Sequence, residues 1–225
     1  MPSQFNIIEN LTLAVLAGII FFLLYKKAWT DKALRFILIN ALYSLFTVLI
    51  TLVYPITSPA YDIISNLTMH IDTLSGLGFF YYLWNINRYH RFLVYTVSVV
   101  LLVWFATFFI MRDFGAHSWT LLLPSIWYVI VGMTAFYLMY TKADFQQTRK
   151  YGSRFLLITG FVFYNFIYIV IEICYIYFKG VGNINDAWKI NYWSYFLFRV
   201  MMFAGVIFWY ARPGIPRNKL SAISK

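Results

Sequence analysis

Residues Phe92 to Met111 read FLVYTVSVVLLVWFATFFIM, twenty positions without a charged side chain, bounded by Arg91 and Arg112. At 1.5 Å rise per residue such a helix is about 30 Å long, the thickness of a bilayer's hydrocarbon core. The same reading recurs on both sides of it, at 5–25, 33–54, 60–83, 119–140, 153–178 and 187–211. Together with 92–111 these stretches take up nearly the whole chain, which reads as one domain, residues 1–225. Composition agrees: 62% of residues are hydrophobic, 22% aromatic and only 12% charged, with a mean hydropathy of +0.70. So few charges could not cover the surface of a soluble domain of this size. Lipid offers no partners to backbone N–H and C=O groups, so each span is expected to be helical. The short alternating segments of a transmembrane barrel do not recur. The expected fold class is therefore an all-α polytopic membrane protein with seven transmembrane helices.

Charge sets the expected orientation. The segments 26–35, 88–91, 142–154 and 212–225 fall on one side of the spans and hold fourteen Lys and Arg residues. The other side holds Arg112, Lys179 and Lys189, while Arg199 lies within a span. The positive-inside rule then puts the N-terminus outside and the C-terminus in the cytoplasm. It also accounts for the formal net charge of +10 without a nucleic-acid partner. The expected partner of that basic face is the lipid bilayer itself. The first span is followed by Lys26 and Lys27, as a signal anchor would be. Cys174 is the only cysteine, which excludes an intrachain disulfide or a thiolate cluster. The Asn-x-Thr sequons at Asn10 and Asn66 lie inside expected helices and read as coincidence.

The first and last three spans echo each other. Arg35-Phe-Ile-Leu-Ile resembles Arg154-Phe-Leu-Leu-Ile, and Phe21 to Lys27 matches Phe136 to Lys142 at Phe, Leu, Tyr and Lys. Gly78 with its following aromatics parallels Gly205 and Phe208-Trp209-Tyr210. Spans one and five run in the same direction, so a 3+1+3 parallel internal repeat is an expectation, with the fourth span as linker. The repeat makes Asp72 and Arg199 equivalent positions near mid-span.

Ionisable residues inside a bilayer cost on the order of 3 kcal/mol on insertion scales and so mark candidate sites. Asp72 and Arg199 are the deepest, with Glu9, His70 and Glu172 nearer the outer surface. Helical spacing puts Asn66, His70 and Thr73 on one face of span three, and Thr68, Asp72, Ser75 and Gly76 on another. Asn40, Ser44, Thr47 and Thr51 stripe span two, Asn165, Tyr168 and Glu172 stripe span six, and Tyr192, Tyr195 and Arg199 stripe span seven. Such stripes face the bundle interior, because lipid would leave their groups unpaired. The plain reading is interhelical glue, with Asp72 and Arg199 as a buried ion pair that fixes register. Against it stands the charge balance: Glu9, Asp72 and Glu172 face one cation, Arg199, and the surplus calls for protonation or a cationic guest. The expected ligand-binding set is Glu9, Asn66, His70, Asp72, Asn165, Tyr168, Glu172, Tyr195 and Arg199.

The seven-helix layout resembles the microbial rhodopsins, but the depth of their retinal lysine carries Arg199 here. The 3+1+3 plan resembles the semi-symmetric sugar transporters and PQ-loop proteins, yet no Pro-Gln pair occurs and the six prolines fall at span ends or in loops. Asn87-Arg88-Tyr89 is similar to the Asp/Glu-Arg-Tyr motif of G-protein-coupled receptors, without its acidic first residue or the other receptor motifs. Ceramidase-like hydrolases place several buried histidines on zinc, whereas His90 and His117 lie in loops on opposite faces. No catalytic, metal or cofactor motif appears. The chain looks most like a small bacterial seven-helix protein, which implies an inner (plasma) membrane location. The leading expectation is a receptor-like sensor. It takes a small cationic or amphipathic ligand in an outward-facing polar cavity and signals through a cytoplasmic partner. A small-solute or proton-coupled transporter is the alternative, and an intramembrane enzyme the third reading.

Topology is directly measurable. Single cysteines placed in a Cys174→Ser background should react with an impermeant outside reagent near Arg112 and Lys189, and stay protected near Lys27 and after Lys225. Outside labelling of the C-terminal position in intact cells would reverse the orientation.

Overall fold

The computed structural model describes residues 2–53, 58–84, 86–112, 118–141, 151–178 and 184–211. Among them the chain forms seven α-helices: α1 (Pro2–Tyr25), α2 (Lys32–Val53), α3 (Pro59–Leu83), α4 (Asn87–Phe105), α5 (Ser118–Thr141), α6 (Tyr151–Phe178) and α7 (Ile184–Tyr210). These bounds lie within a few residues of the expected spans. The segments 142–150 and 212–225, expected to carry part of the cytoplasmic charge, lie outside the described residues.

Local chemistry explains the boundaries. Pro2 and Pro59 open α1 and α3, where a missing N–H leaves no helical bond unmade. Lys27, at φ 52°, turns the chain out of α1 into a 3₁₀ turn over Ala28–Thr30. Asp31 then caps α2, its Oδ1 accepting hydrogen bonds from the backbone N–H of Ala33 at 3.1 Å and Leu34 at 3.3 Å. Two features depart from the expected picture of unbroken spans. Pro124 lies inside α5 rather than at a span end. Beyond Phe105, α4 widens into a π-helical segment, Ala106–Ile110, where the Met111 N–H donates to the Ala106 carbonyl at 3.0 Å.

The helices pack as a closed ring in chain order. Each lies against its sequence neighbours, α7 returns to α1, and α3 also reaches α5 past α4. Six of the seven are long and apolar enough to cross a membrane, and α3, which carries Asn66, His70, Asp72 and Thr73, is the exception. The distribution of polarity in the ring differs from that of a soluble protein. Val99, Leu102, Phe105, Phe109 and Ile110 of the α4 region point outward, while Asn40, Ser44 and Arg199 are buried. An apolar exterior around a core that also buries polar and charged groups is what an integral membrane protein shows.

An aromatic cluster fills the centre. Phe161 of α6 stacks on Tyr128 of α5 at 5.3 Å between ring centroids and on Phe79 of α3 at 5.7 Å. It also meets Phe198 of α7 at 5.1 Å. Four helices thus share one ring contact. The Tyr128 ring fits only because α3 carries Gly76, where a Cβ would overlap the Tyr128 side chain. Gly76→Ala should therefore displace Tyr128 and cost about 1–3 kcal/mol, the usual penalty of overpacking. Gly152→Ala, at a site with open space around it, is the control and should leave the thermal midpoint in detergent unchanged or slightly raised.

Candidate functional site

The polar residues of α2, α3, α5 and α7 converge on one point. Asn40, 1% exposed, stands between the two mid-span charges. Its Nδ2 donates to Asp72 Oδ1 at 2.5 Å and to Ser75 Oγ at 3.3 Å. Its Oδ1 accepts from Arg199 Nη1 at 2.9 Å. This is the one amide orientation that serves both partners, donor toward carboxylate and acceptor toward guanidinium. Asp72 and Arg199 thus share a polar group, and no direct ion pair joins them.

Each charge has further partners. Arg199 is 2% exposed; its Nη2 donates to Ser44 Oγ and to the Tyr195 hydroxyl, the latter at 2.8 Å. Its guanidinium also lies 4.7 Å from the ring centroids of Tyr195 and Phe198, a favourable position for a desolvated cation. On the acid side, the Tyr128 hydroxyl lies 2.7 Å from the Asp72 backbone carbonyl and 3.1 Å from Oδ2, donating between them. Ser75 Oγ donates to the same backbone carbonyl at 2.7 Å. Asp72 is the one partly accessible member of the Asp72–Asn40–Arg199 chain.

The remaining expected site residues are distributed elsewhere. Glu172 is 4% exposed and hydrogen-bonds with Tyr168 one turn earlier in α6. Asn165 donates back to the Phe161 carbonyl of its own helix at 2.8 Å. Asn66 accepts from Trp104 Nε1 at 3.0 Å, and His70 packs its ring 4.3 Å from Trp104, so both face α4 rather than the network. Glu9 points out of α1.

Sequence reasoning placed Asn40 and Ser44 on a buried stripe without assigning them to the site. Their i, i+4 spacing, opposite a buried arginine, was the available signal. Tyr128 carried no such signal, being one of 19 tyrosines on an otherwise apolar helix. Among the described residues, no group of three or more His, Cys, Asp or Glu is placed to hold a metal ion.

A second cluster lies at the end of the bundle that carries Lys26 and Lys27. Trp209 Nε1 of α7 donates to Asp31 Oδ2 at the start of α2, at 2.9 Å. The Arg154 guanidinium of α6 lies 4.5 Å from the Trp84 ring and 6.0 Å from the Trp209 ring. Ser153 Oγ donates to the Gly205 carbonyl at 2.6 Å. Tryptophan, arginine and carboxylate together link α2, α6 and α7 at this end.

Comparisons with protein-family models, with characterised proteins and with solved structures return no match to this chain. The chemistry of the site therefore rests on its own geometry.

Removing one partner of a buried charge pair costs about 3–5 kcal/mol, because the other charge is stranded. With Asn40 as the bridge, Asn40→Leu should destabilise the detergent-solubilised protein about as much as Asp72→Ala. In an Asp72→Asn, Arg199→Gln background, where no charges need bridging, the same Asn40→Leu change should cost far less. Equal losses in the two backgrounds would show that Asn40 acts by packing alone.

Proposed function

We propose that this chain is a receptor-like membrane sensor, oriented N-terminus outside, in which all seven helices cross a plasma membrane of the bacterial inner-membrane type. A small cationic or amphipathic ligand enters from the outer side and acts on the Asp72–Asn40–Arg199 network. One observation carries the reading: α2 and α7, which α1 separates, are tied across the bundle twice. Arg199 reaches Asn40 and Ser44 at mid-bundle, and Trp209 reaches Asp31 at the basic end. A cationic group arriving at Asp72, the partly accessible acid, competes with the Asn40 amide for the carboxylate. Asn40 is then free to shift with Arg199, and the displacement passes along α2 and α7 to the loop at 26–31. That loop, basic and on the cytoplasmic side in this orientation, is where a signalling partner would read it. Glu172, buried and hydrogen-bonded to the Tyr168 side chain, adds a second acidic group for the ligand's approach.

A 3+1+3 duplication, part of the same proposal, fits this arrangement. Gly78 of α3 and Gly205 of α7 each lie directly beneath a side chain of the preceding helix, Phe36 and Leu157 respectively. The equivalent positions 72 and 199 then hold the two charges of one network. A transporter remains the alternative, favoured by Pro124 inside α5 and the π-helical segment of α4, since transport helices are commonly broken.

Thermal-shift screening of small amines and neutral analogues tests the reading. Amines should raise the midpoint of the parent protein and lose that effect in Asp72→Asn, while neutral analogues should act on neither. Accumulation of a stabilising amine inside proteoliposomes would favour the transporter, and equal stabilisation of both forms by every amine would exclude Asp72 as the contact.

A further inference from the structure

His70 lies on the face of α3 that meets Trp104 of α4, Thr73 lies one turn further along α3, and both carry buried polar atoms with no hydrogen-bond partner among the described residues. His70 is 6% exposed and Thr73 fully buried. Neither ring nitrogen of His70 nor the Thr73 hydroxyl is bonded. The threonine is unusual within this protein. Thr12, Thr68, Thr96, Thr107, Thr134 and Thr159 each donate to the carbonyl four residues earlier, at 2.7–2.9 Å. That local bond is open to any helical threonine, and Thr73 does not make it. A neutral imidazole likewise presents one donor and one acceptor, and leaving both unmet in an apolar interior is costly.

Two features of α4 border His70. Trp104 of α4 covers the His70 ring at 4.3 Å and is itself fixed by its hydrogen bond to Asn66. Two residues beyond Trp104 the α4 backbone widens into the π-helical segment Ala106–Ile110. Such segments carry an extra residue in the turn and recur at binding sites.

We propose that the seam between α3 and α4 is a second, uncharged binding site, in which His70 and Thr73 hold a hydroxyl-bearing guest. A hydroxyl can accept from one group and donate to the other, as two adjacent unbonded donor–acceptor groups require. The guest comes either from solvent, as water, or from the bilayer, as the free hydroxyl of a neutral lipid. The site is independent of the sensor reading, because neither His70 nor Thr73 bonds to the Asp72 network.

Two near-isosteric substitutions test it. His70→Phe keeps a ring against Trp104 but deletes both nitrogens, and Thr73→Val deletes only the hydroxyl. With a shared guest, each should lower the thermal midpoint in detergent by roughly 2–4 °C. The double variant should lose clearly less than the sum, because the second change removes a guest already released. Coupling that persists in delipidated detergent identifies water. Coupling that disappears on delipidation and returns with micelles containing diacylglycerol identifies a lipid hydroxyl. A rise in the midpoint for either variant, or losses that simply add, would overturn the proposal, since unsatisfied groups without a guest are better replaced by apolar ones.

Discussion

A single carboxamide reconciles two charges that the bundle could not otherwise hold. Asp72 and Arg199 sit where water is scarce, and each would be costly alone. Asn40 donates to one and accepts from the other, so both charges are satisfied without touching. The remaining partners follow from that choice. Ser44 and Tyr195 accept from the second amino group of the guanidinium, and Tyr128 and Ser75 turn their hydroxyls to Asp72. Gly76 must lack a side chain for Tyr128 to arrive. The aromatic cluster around Phe161 then packs against a tyrosine whose position the polar network has fixed.

Much of the architecture was legible because membrane crossing is a constraint of length and apolarity, and both are written locally in the chain. The expected spans and the observed helices agree to within a few residues for that reason. The interior stripes were legible too, since Asn40 with Ser44 and Tyr195 with Arg199 sit at i, i+4. Partner choice was harder to read. Helical spacing separated Asn66 and His70 from Asp72 on α3, but it could not say which helix each face meets, and theirs turns toward α4 and Trp104. Depth is a property of the sequence, whereas which helix lies opposite depends on the packing of the ring. Glu9 illustrates the same limit, since its depth resembled that of Glu172 but its face of α1 points outward. The π-helical segment after Phe105 left no mark in a stretch of uniform apolar residues.

The basic end and the middle of the bundle are built from different chemistry. The end near Lys26 is linked by large planar groups, with Arg154 between Trp84 and Trp209 and Trp209 bonded to Asp31. The mid-bundle network is built instead from one amide and several hydroxyls gathered around two charged groups.

The long stem of Arg199 gives the bridge to α2 a mechanical character. Because α1 lies between α2 and α7, their connection runs through rotatable side-chain bonds rather than through packed backbone. Such a link behaves as a tether. It limits how far the two helices can part while permitting rotation within that limit, as a welded helix–helix seam could not.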